Sequence, residues 1–418
     1  MALEVKITTG AWYGDREQTL IFPDSWDVSV YESRDVAALN ELEIQKAFAE
    51  PIGTERIVDL ARGRKSAVII VDDLSRPTPA HLVIPNIIDE LEEGGIKEES
   101  IVFVMGGGSH RPLTDAELAQ KIGQAAASKY KIYRHNVFSK TLEDLGEMED
   151  GTPVHINEIV VNSDLKIAVG GIIPHSSFGF GGGGKMVVPG GAGYDTIAHN
   201  HGKYKGRERG SIEKQIEGKD KRENAEDVAR YIGLDAIVNM ALTHRREIAG
   251  LFVGDMMEAH HEGKIFAKDI YNTVIPEEDV EATDIVFINA YPQDATTQIV
   301  KSIWPADLFK SAQKVMINPA CDGIRYHGMG DKVDYDIFLK MKAEEPEPVN
   351  IPEKVEIKSK EDFVLLSPNF PKGEFYKRYS NGTLFGDWDD LIRQLRQLYD
   401  NAKVAVIPYS PIQLPYIV

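Results

Sequence analysis

Three short apolar runs, Lys65–Val71, Ile101–Met105 and Asp164–Val169, each give way to a polar loop rich in glycine or proline. Their length and composition suit buried strands. Helix-period stretches lie between them. Leu82, Ile84, Ile87, Ile88 and Leu91 recur at helical spacing after the first run, and Thr114 with Glu117 three residues on opens a helix with a reciprocal cap after the second. Strands that alternate with helices form a parallel sheet, and such sheets bind ligands beyond the carboxyl ends of their strands. Loops 72–79, 106–112 and 170–185 are therefore expected to converge on one crevice.

The rest of the chain supplies a second set of elements. Residues 3–32 alternate apolar and polar types around Gly10, Gly14 and Pro23 and read as an antiparallel opening, and Asp35–Ala49 reads as a helix. Segment 202–264 reads as charged and helical, with His244, His260 and His261 exposed on it. Beyond Pro276-Glu277-Glu278, strands at 284–289, 315–318, 363–366 and 404–407 and a helix over Trp388–Tyr399 describe a smaller α/β unit. A chain of 418 residues outgrows one simple core. The expected fold class is α/β: two α/β domains with mostly parallel sheets, residues 1–275 and 276–418, and a ligand site in the cleft between them.

Charge narrows the partners. With 47 Lys and Arg against 66 Asp and Glu, the net charge of −19 argues against nucleic acid or an anionic membrane, while leaving room for a small anion in a locally basic pocket. No apolar run is long enough to span a bilayer, and Met1–Lys6 lacks the core of a signal peptide. The single cysteine, Cys321, excludes an internal disulfide and suits a reducing compartment. A cytoplasmic location is expected.

The chemistry centres on Gly170 to Lys185. A glycine tract after a strand lets the backbone approach a ligand and aim N–H groups at an anion, so Gly182, Gly183 and Gly184 read as a cradle. Lys185 is bracketed by His175 ten residues before and His201 sixteen after. Lysine here lacks the Ser or Thr that follows it in a P-loop, and the glycines at 106 and 181 lack the spacing of a dinucleotide fingerprint. His175 and His201 also lack Cys or Glu partners at zinc-site spacing. Taken singly, a histidine in a glycine loop is a structural residue, and Asp73 with Arg76 is a turn-stabilising ion pair. Three histidines, His110, His175 and His201, gathered at strand-end loops around one lysine favour an anion site with a lysine for covalent chemistry and imidazoles for proton transfer.

The motifs Asp73-Leu74-Ser75-Arg76-Pro77-Thr78-Pro79, Ser109-His110-Arg111-Pro112-Leu113-Thr114, Pro174-His175, Gly183-Gly184-Lys185, Pro189-Gly190 and Asn200-His201 resemble, in order and spacing, the lactate racemase family, whose enzymes use a nickel-pincer nucleotide. The resemblance spans most of residues 1–330. It implies that Lys185 carries the cofactor, nickel pyridinium-3,5-bisthiocarboxylic acid mononucleotide, through a thioamide, and that His201 binds the metal. It implies His110 and His175 as the acid/base pair, and Arg76, Gln298 and Lys301 as groups that hold the substrate or steady the cofactor. Asp73 matches a cofactor contact, and Ser75 in the same motif is grouped with it. The 1–275 domain would then bind cofactor and catalyse, and 276–418 would contribute substrate-binding residues.

The implied reaction is racemisation or epimerisation of a 2-hydroxy acid by reversible hydride transfer, which avoids removing a very weakly acidic α-proton. The hard electronics fall to the cofactor. Accessory enzymes that build the cofactor are the implied partners, and the oligomeric state is left open. Two positions depart from lactate-specific members: Thr297 replaces a tyrosine before Gln298, and residues 340–375 hold no counterpart of a tryptophan that crowds the substrate methyl. The expected substrate is accordingly larger than lactate. Alternatives are an alcohol dehydrogenation that releases the ketone, and a non-catalytic nucleotide- or anion-binding protein whose Lys185 stays unmodified.

Overall fold

The computed structural model describes residues 3–213, 218–296, 301–323, 351–352 and 355–418. The three apolar runs are neighbours in one sheet of six strands, ordered Ile248–Gly254, Ala236–Leu242, Leu165–Gly171, Ala67–Val71, Ile101–Met105 and Lys131–Arg134. Ala67–Val71 pairs in parallel with Ile101–Met105 on one side and Leu165–Gly171 on the other. Only Ile248–Gly254, at the edge, runs antiparallel to its neighbour. Every residue of Ala67–Val71 and Leu165–Gly171 is buried, which is why these strands read as continuous apolar runs rather than alternating ones. Since the three strands are parallel and adjacent, loops 72–79, 106–112 and 172–185 leave the same edge of the sheet.

On one face Val68, Ile70, Val104 and Ala168 pack against Met186, Val187, Val188 and Ala192 and against Ala225 and Val228. The chain just after Lys185 is thus part of the core. The Thr114–Glu117 reciprocal cap is present and opens helix Asp115–Ile122. The first helix starts later than its composition indicates, at Glu41, because Asn40 and Glu43 form a capping box there.

A second sheet of six strands is parallel throughout, ordered Thr383–Phe385, Val364–Leu366, Gln313–Ile317, Ile285–Asn289, Ala402–Ile407 and Trp26–Val30. Mixed α/β architecture with mostly parallel sheets is therefore as the sequence indicates. Two local expectations are corrected. The antiparallel opening holds for Leu3–Thr9 with Arg16–Phe22, but Trp26–Val30 lies in parallel beside Ala402–Ile407. Contacts divide the described residues into a unit of residues 36–269 and a unit of residues 3–35 together with the described residues from 270 onward. The first residues join the second unit because Phe22 packs edge-on to both Phe287 and Trp388, at 5.3 Å between ring centroids. The other correction is in 202–264, where Ala236–Leu242 and Ile248–Gly254 are buried strands rather than helix, and His244 and His260 are buried while His261 is exposed. The charge of residues 219–230 dominates the composition of that segment and masks the apolar runs after it. Among the described residues, no helix is long and apolar enough to cross a membrane.

Candidate active site

The 72–79 loop is held from beneath. Lys121, on the buried face of helix Asp115–Ile122, pairs with Asp72 at 2.5 Å and donates to the carbonyls of Arg76 and Thr78 at 3.2 and 2.9 Å. Thr78 Oγ1 donates to the other Asp72 oxygen at 2.8 Å. This shape places Asp73 against His110, with Oδ2 at 2.6 Å from Nδ1. Asp73 Oδ1 accepts from the backbone N–H and the hydroxyl of Ser75, at 2.9 and 2.5 Å. Arg76 Nη1 in turn donates to Ser75 Oγ at 3.2 Å. A carboxylate on Nδ1 fixes the ring and its tautomer and leaves Nε2 as the nitrogen that exchanges protons. The resemblance implies Asp73 and Ser75 as cofactor contacts; the structure adds their hold on His110.

Beyond Leu165–Gly171 the chain forms a two-residue ladder, Pro174–His175 with Gly179–Phe180. Nδ1 of His175 accepts from the Ser177 N–H at 3.2 Å, so a proton on the neutral ring resides on Nε2. Gly182 and Gly183 then take left-handed φ values of 71° and 61°. A side chain at Gly182 would put Cβ 2.5 Å from Asn239 Oδ1, so both conformation and space demand glycine. Lys185 follows in the short turn Gly183–Met186 and is only 9% exposed. Among the described residues its side-chain nitrogen has no hydrogen-bond or ion-pair partner; Nζ lies 5.1 Å from the ring centroid of Phe178. Burial, reinforced by the charges of Arg76 and Arg222, pushes Lys185 well below the usual lysine range. The neutral amine is the nucleophilic form.

His201 is carried by helix Tyr194–Lys203 rather than by a loop. Its Nδ1 lies 3.1 Å from the Ile197 carbonyl one turn earlier, which takes the ring proton and leaves the Nε2 lone pair available. Burial, with Lys221 and Lys185 nearby, pulls its pKa down to about 4, so the imidazole is neutral at physiological pH, as a metal ligand must be. Phe178 is one residue that sequence reasoning missed. Its ring touches His175 edge-on at 5.4 Å and His201 at 5.8 Å, besides lying under Lys185. An aromatic in a glycine-rich loop reads as core; its position between His175 and Lys185, three residues after the first, was the available signal.

The loops are tied together behind the site. Gly108 N–H donates to the Gly190 carbonyl at 3.0 Å, and His135 Nε2 bonds the Ala192 carbonyl at 2.8 Å. Asp73, Ser75, Arg76, His110, His175, Gly182, Gly183, Gly184, Lys185 and His201 accordingly belong to the 36–269 unit. Lys301 is buried in the other unit, and Gln298, like Thr297, lies outside the described residues.

The family model described as the lactate racemase N-terminal domain matches residues 13–212. Lactate racemase of Lactiplantibacillus plantarum is 31% identical over 329 residues, covering 75% of this chain and 76% of that protein. Lactate racemase of Thermoanaerobacterium thermosaccharolyticum is 29% identical over 254 residues, covering 60% of this chain and 58% of that one. Among solved structures, the lactate racemase apoprotein from Thermoanaerobacterium thermosaccharolyticum superposes with a TM-score of 0.72 at 22% identity, covering 99% of this chain and all of its own. A Thermotoga maritima protein superposes at 0.63 and 16% identity, covering 92% of this chain and 100% of its own. Both likenesses concern the fold. The sequence relatives go further: the chain belongs to the lactate racemase family and is an isomerase.

Proposed function

We propose that the chain racemises or epimerises a 2-hydroxy acid larger than lactate, with a nickel-pincer nucleotide joined to Lys185. One observation carries this reading: a buried lysine with no polar partner, set in a glycine cradle that tolerates no side chain, beside a neutral histidine whose Nε2 is free. A lysine kept for its charge would be paired or solvated; one kept for acylation is desolvated and neutral. The residues fit the cofactor. Lys185 would form the thioamide, His201 would bind nickel, and Gly182, Gly183, Gly184, Asp73 and Ser75 would line the nucleotide. When bound, that group supplies a reversible acceptor for the hydride of the substrate's α-carbon.

The chain's own residues do the rest. His110, oriented by Asp73, takes the substrate's hydroxyl proton at Nε2 and returns it. His175 is the other member of the acid/base pair: with Nδ1 accepting from Ser177 it presents an Nε2–H donor, and it takes a proton at Nε2 only after that hydrogen bond is released and the ring proton moves to Nδ1. Such proton transfers contribute on the order of 10²–10⁴-fold each. Arg76 binds the carboxylate, and the resemblance gives Lys301 and Gln298 as further substrate- or cofactor-holding groups. The sequence departures, Thr297 in place of a tyrosine and no tryptophan counterpart in 340–375, favour a longer, more polar substrate, since buried groups left unpaired by lactate would cost about 1–3 kcal/mol each. Loading requires the accessory enzymes that build the cofactor.

The test uses loaded enzyme incubated in turn with lactate, malate, a long-chain 2-hydroxy acid and a hexonic acid, with stereoisomers resolved. Fastest interconversion is expected with one of the larger acids. Fastest turnover of lactate would overturn the specificity reading, and stoichiometric free ketone would replace racemisation by dehydrogenation.

A further inference from the structure

The peptide group between Gly182 and Gly183, just ahead of Lys185, is gripped from both sides. Its carbonyl accepts from Arg222 Nη1 at 2.8 Å, and its N–H donates to Asn239 Oδ1 at 2.8 Å. His260 closes the ring, with Nε2 on Arg222 Nη2 and Nδ1 at 3.2 Å from Asn239 Oδ1. Glu226 accepts from Arg222 Nε at 2.6 Å and balances its charge. All four side chains are buried, His260 to 1% exposure. Three elements converge here: helix Lys221–Tyr231, strand Ala236–Leu242 and helix Glu258–Ile270.

The proton positions follow from the donors. A guanidinium has only N–H groups, so His260 Nε2 must accept, and the proton must sit on Nδ1. That N–H donates to Asn239 Oδ1, which takes the Gly183 N–H as well. The imidazole is neutral, and each hydrogen bond in the ring has one possible direction. Left-handed glycines do not hold their own conformation, since glycine visits both signs of φ with little preference. Order in the segment before Lys185 therefore has to be imposed from outside, and this ring imposes it at a single peptide. It also leaves no space. A Cβ on Gly183 would lie 3.0 Å from Arg222 Nη2, and one on Gly184 would lie 2.9 Å from the Glu226 Cα.

We propose that Arg222, His260 and Asn239 are positioning residues that clamp the Gly182–Gly183 peptide and thereby hold Lys185 in the pose in which it receives its covalent group. The proposal rests on the reading of Lys185 as the attachment point. A network serving the core alone would affect stability but not the fraction of Lys185 that becomes modified at equal folding.

The experiment coproduces wild type, His260→Ala and His260→Gln with the cofactor-making enzymes. It measures adduct occupancy on the Lys185 peptide by mass spectrometry, and amide hydrogen exchange of the 179–187 segment in the apoproteins. Glutamine can accept from Arg222 through its oxygen and donate to Asn239 through its amide, so it restores both links. His260→Ala should lower occupancy by about tenfold or more and speed exchange in that segment, as expected when a reacting group is misplaced by an ångström, while His260→Gln should load and exchange like wild type. If His260→Ala does not fold, Asn239→Ala against Asn239→Asp asks the same question, because the aspartate keeps both accepted hydrogen bonds. Full loading of a folded His260→Ala or Asn239→Ala protein, or equal losses in the alanine variant and its conservative partner, overturns the clamp. Absence of any adduct on Lys185 in wild type instead refutes the attachment reading, whatever the variants do.

Discussion

The acid/base role proposed for His110 depends on Asp73. The 2.6 Å contact to Nδ1 holds the imidazole in the tautomer whose Nε2 can take a proton, and an amide in its place would present the wrong group to that nitrogen. Asp73→Asn should therefore lower turnover per loaded enzyme by on the order of 10²–10⁴-fold, read by stereoisomer assay normalised to the Lys185 adduct measured by peptide mass. A second consequence is acid sensitivity. Burial holds both His201 and His135 at a pKa of about 4, against about 6.5 for a free histidine. Between those values the unfolded chain binds more protons than the folded one, so stability falls as pH drops through the window and is intact above it. Each histidine contributes up to roughly 3 kcal/mol of that loss. Urea midpoints at pH 7, 5.5 and 4.5 should fall steeply in wild type and less in His135→Gln; parallel curves would refute the assignment. The residue types of the candidate site stood out in the sequence, because a lysine and histidines in or beside glycine loops are chemically conspicuous. The Asp73–His110 pair and the Phe178 hub were not: both depend on which loops the sheet brings side by side.

At the scale of elements, strand-end loops were the part of the site most open to sequence reasoning. Runs buried on both faces announce parallel strands, and parallel strands send their following loops to one edge. What fixes those loops was hidden. Lys121 is a charged residue on an amphipathic helix and reads as solvent-facing, yet it is fully buried against Asp72. Breaking such a pair leaves a carboxyl in an apolar setting, where burial already pushes Asp72 upward. Lys121→Met should cost about 3–5 kcal/mol by chemical denaturation, and a loss below about 1 kcal/mol would show that the loop does not depend on the pair. Arg222, Asn239 and His260 were missed for a related reason. A window averaged over 202–264 reports the charges of the first helix and conceals the buried strand that carries Asn239.

For the whole molecule, the α/β class and the largely parallel sheets followed from element order, whereas the membership of residues 3–35 did not. Alternation identifies Trp26–Val30 as a strand, but its partner, Ala402–Ile407, lies at the far end of the chain, and only packing of Phe22 and Trp26 against the second core selects it. Net charge argued against classes of partner and said nothing of the buried basic side chains Arg222, Lys185 and Lys301, which a chain charge of −19 conceals. The central claim is that this isomerase works through a group carried by Lys185. Peptide-resolved mass spectrometry of active protein, made with the accessory enzymes, tests it most directly. The account predicts added mass on the peptide containing Lys185, its disappearance in a folded Lys185→Ala variant, and loss of stereoisomer interconversion with it. Full racemase activity in protein whose Lys185 carries no added mass would contradict it.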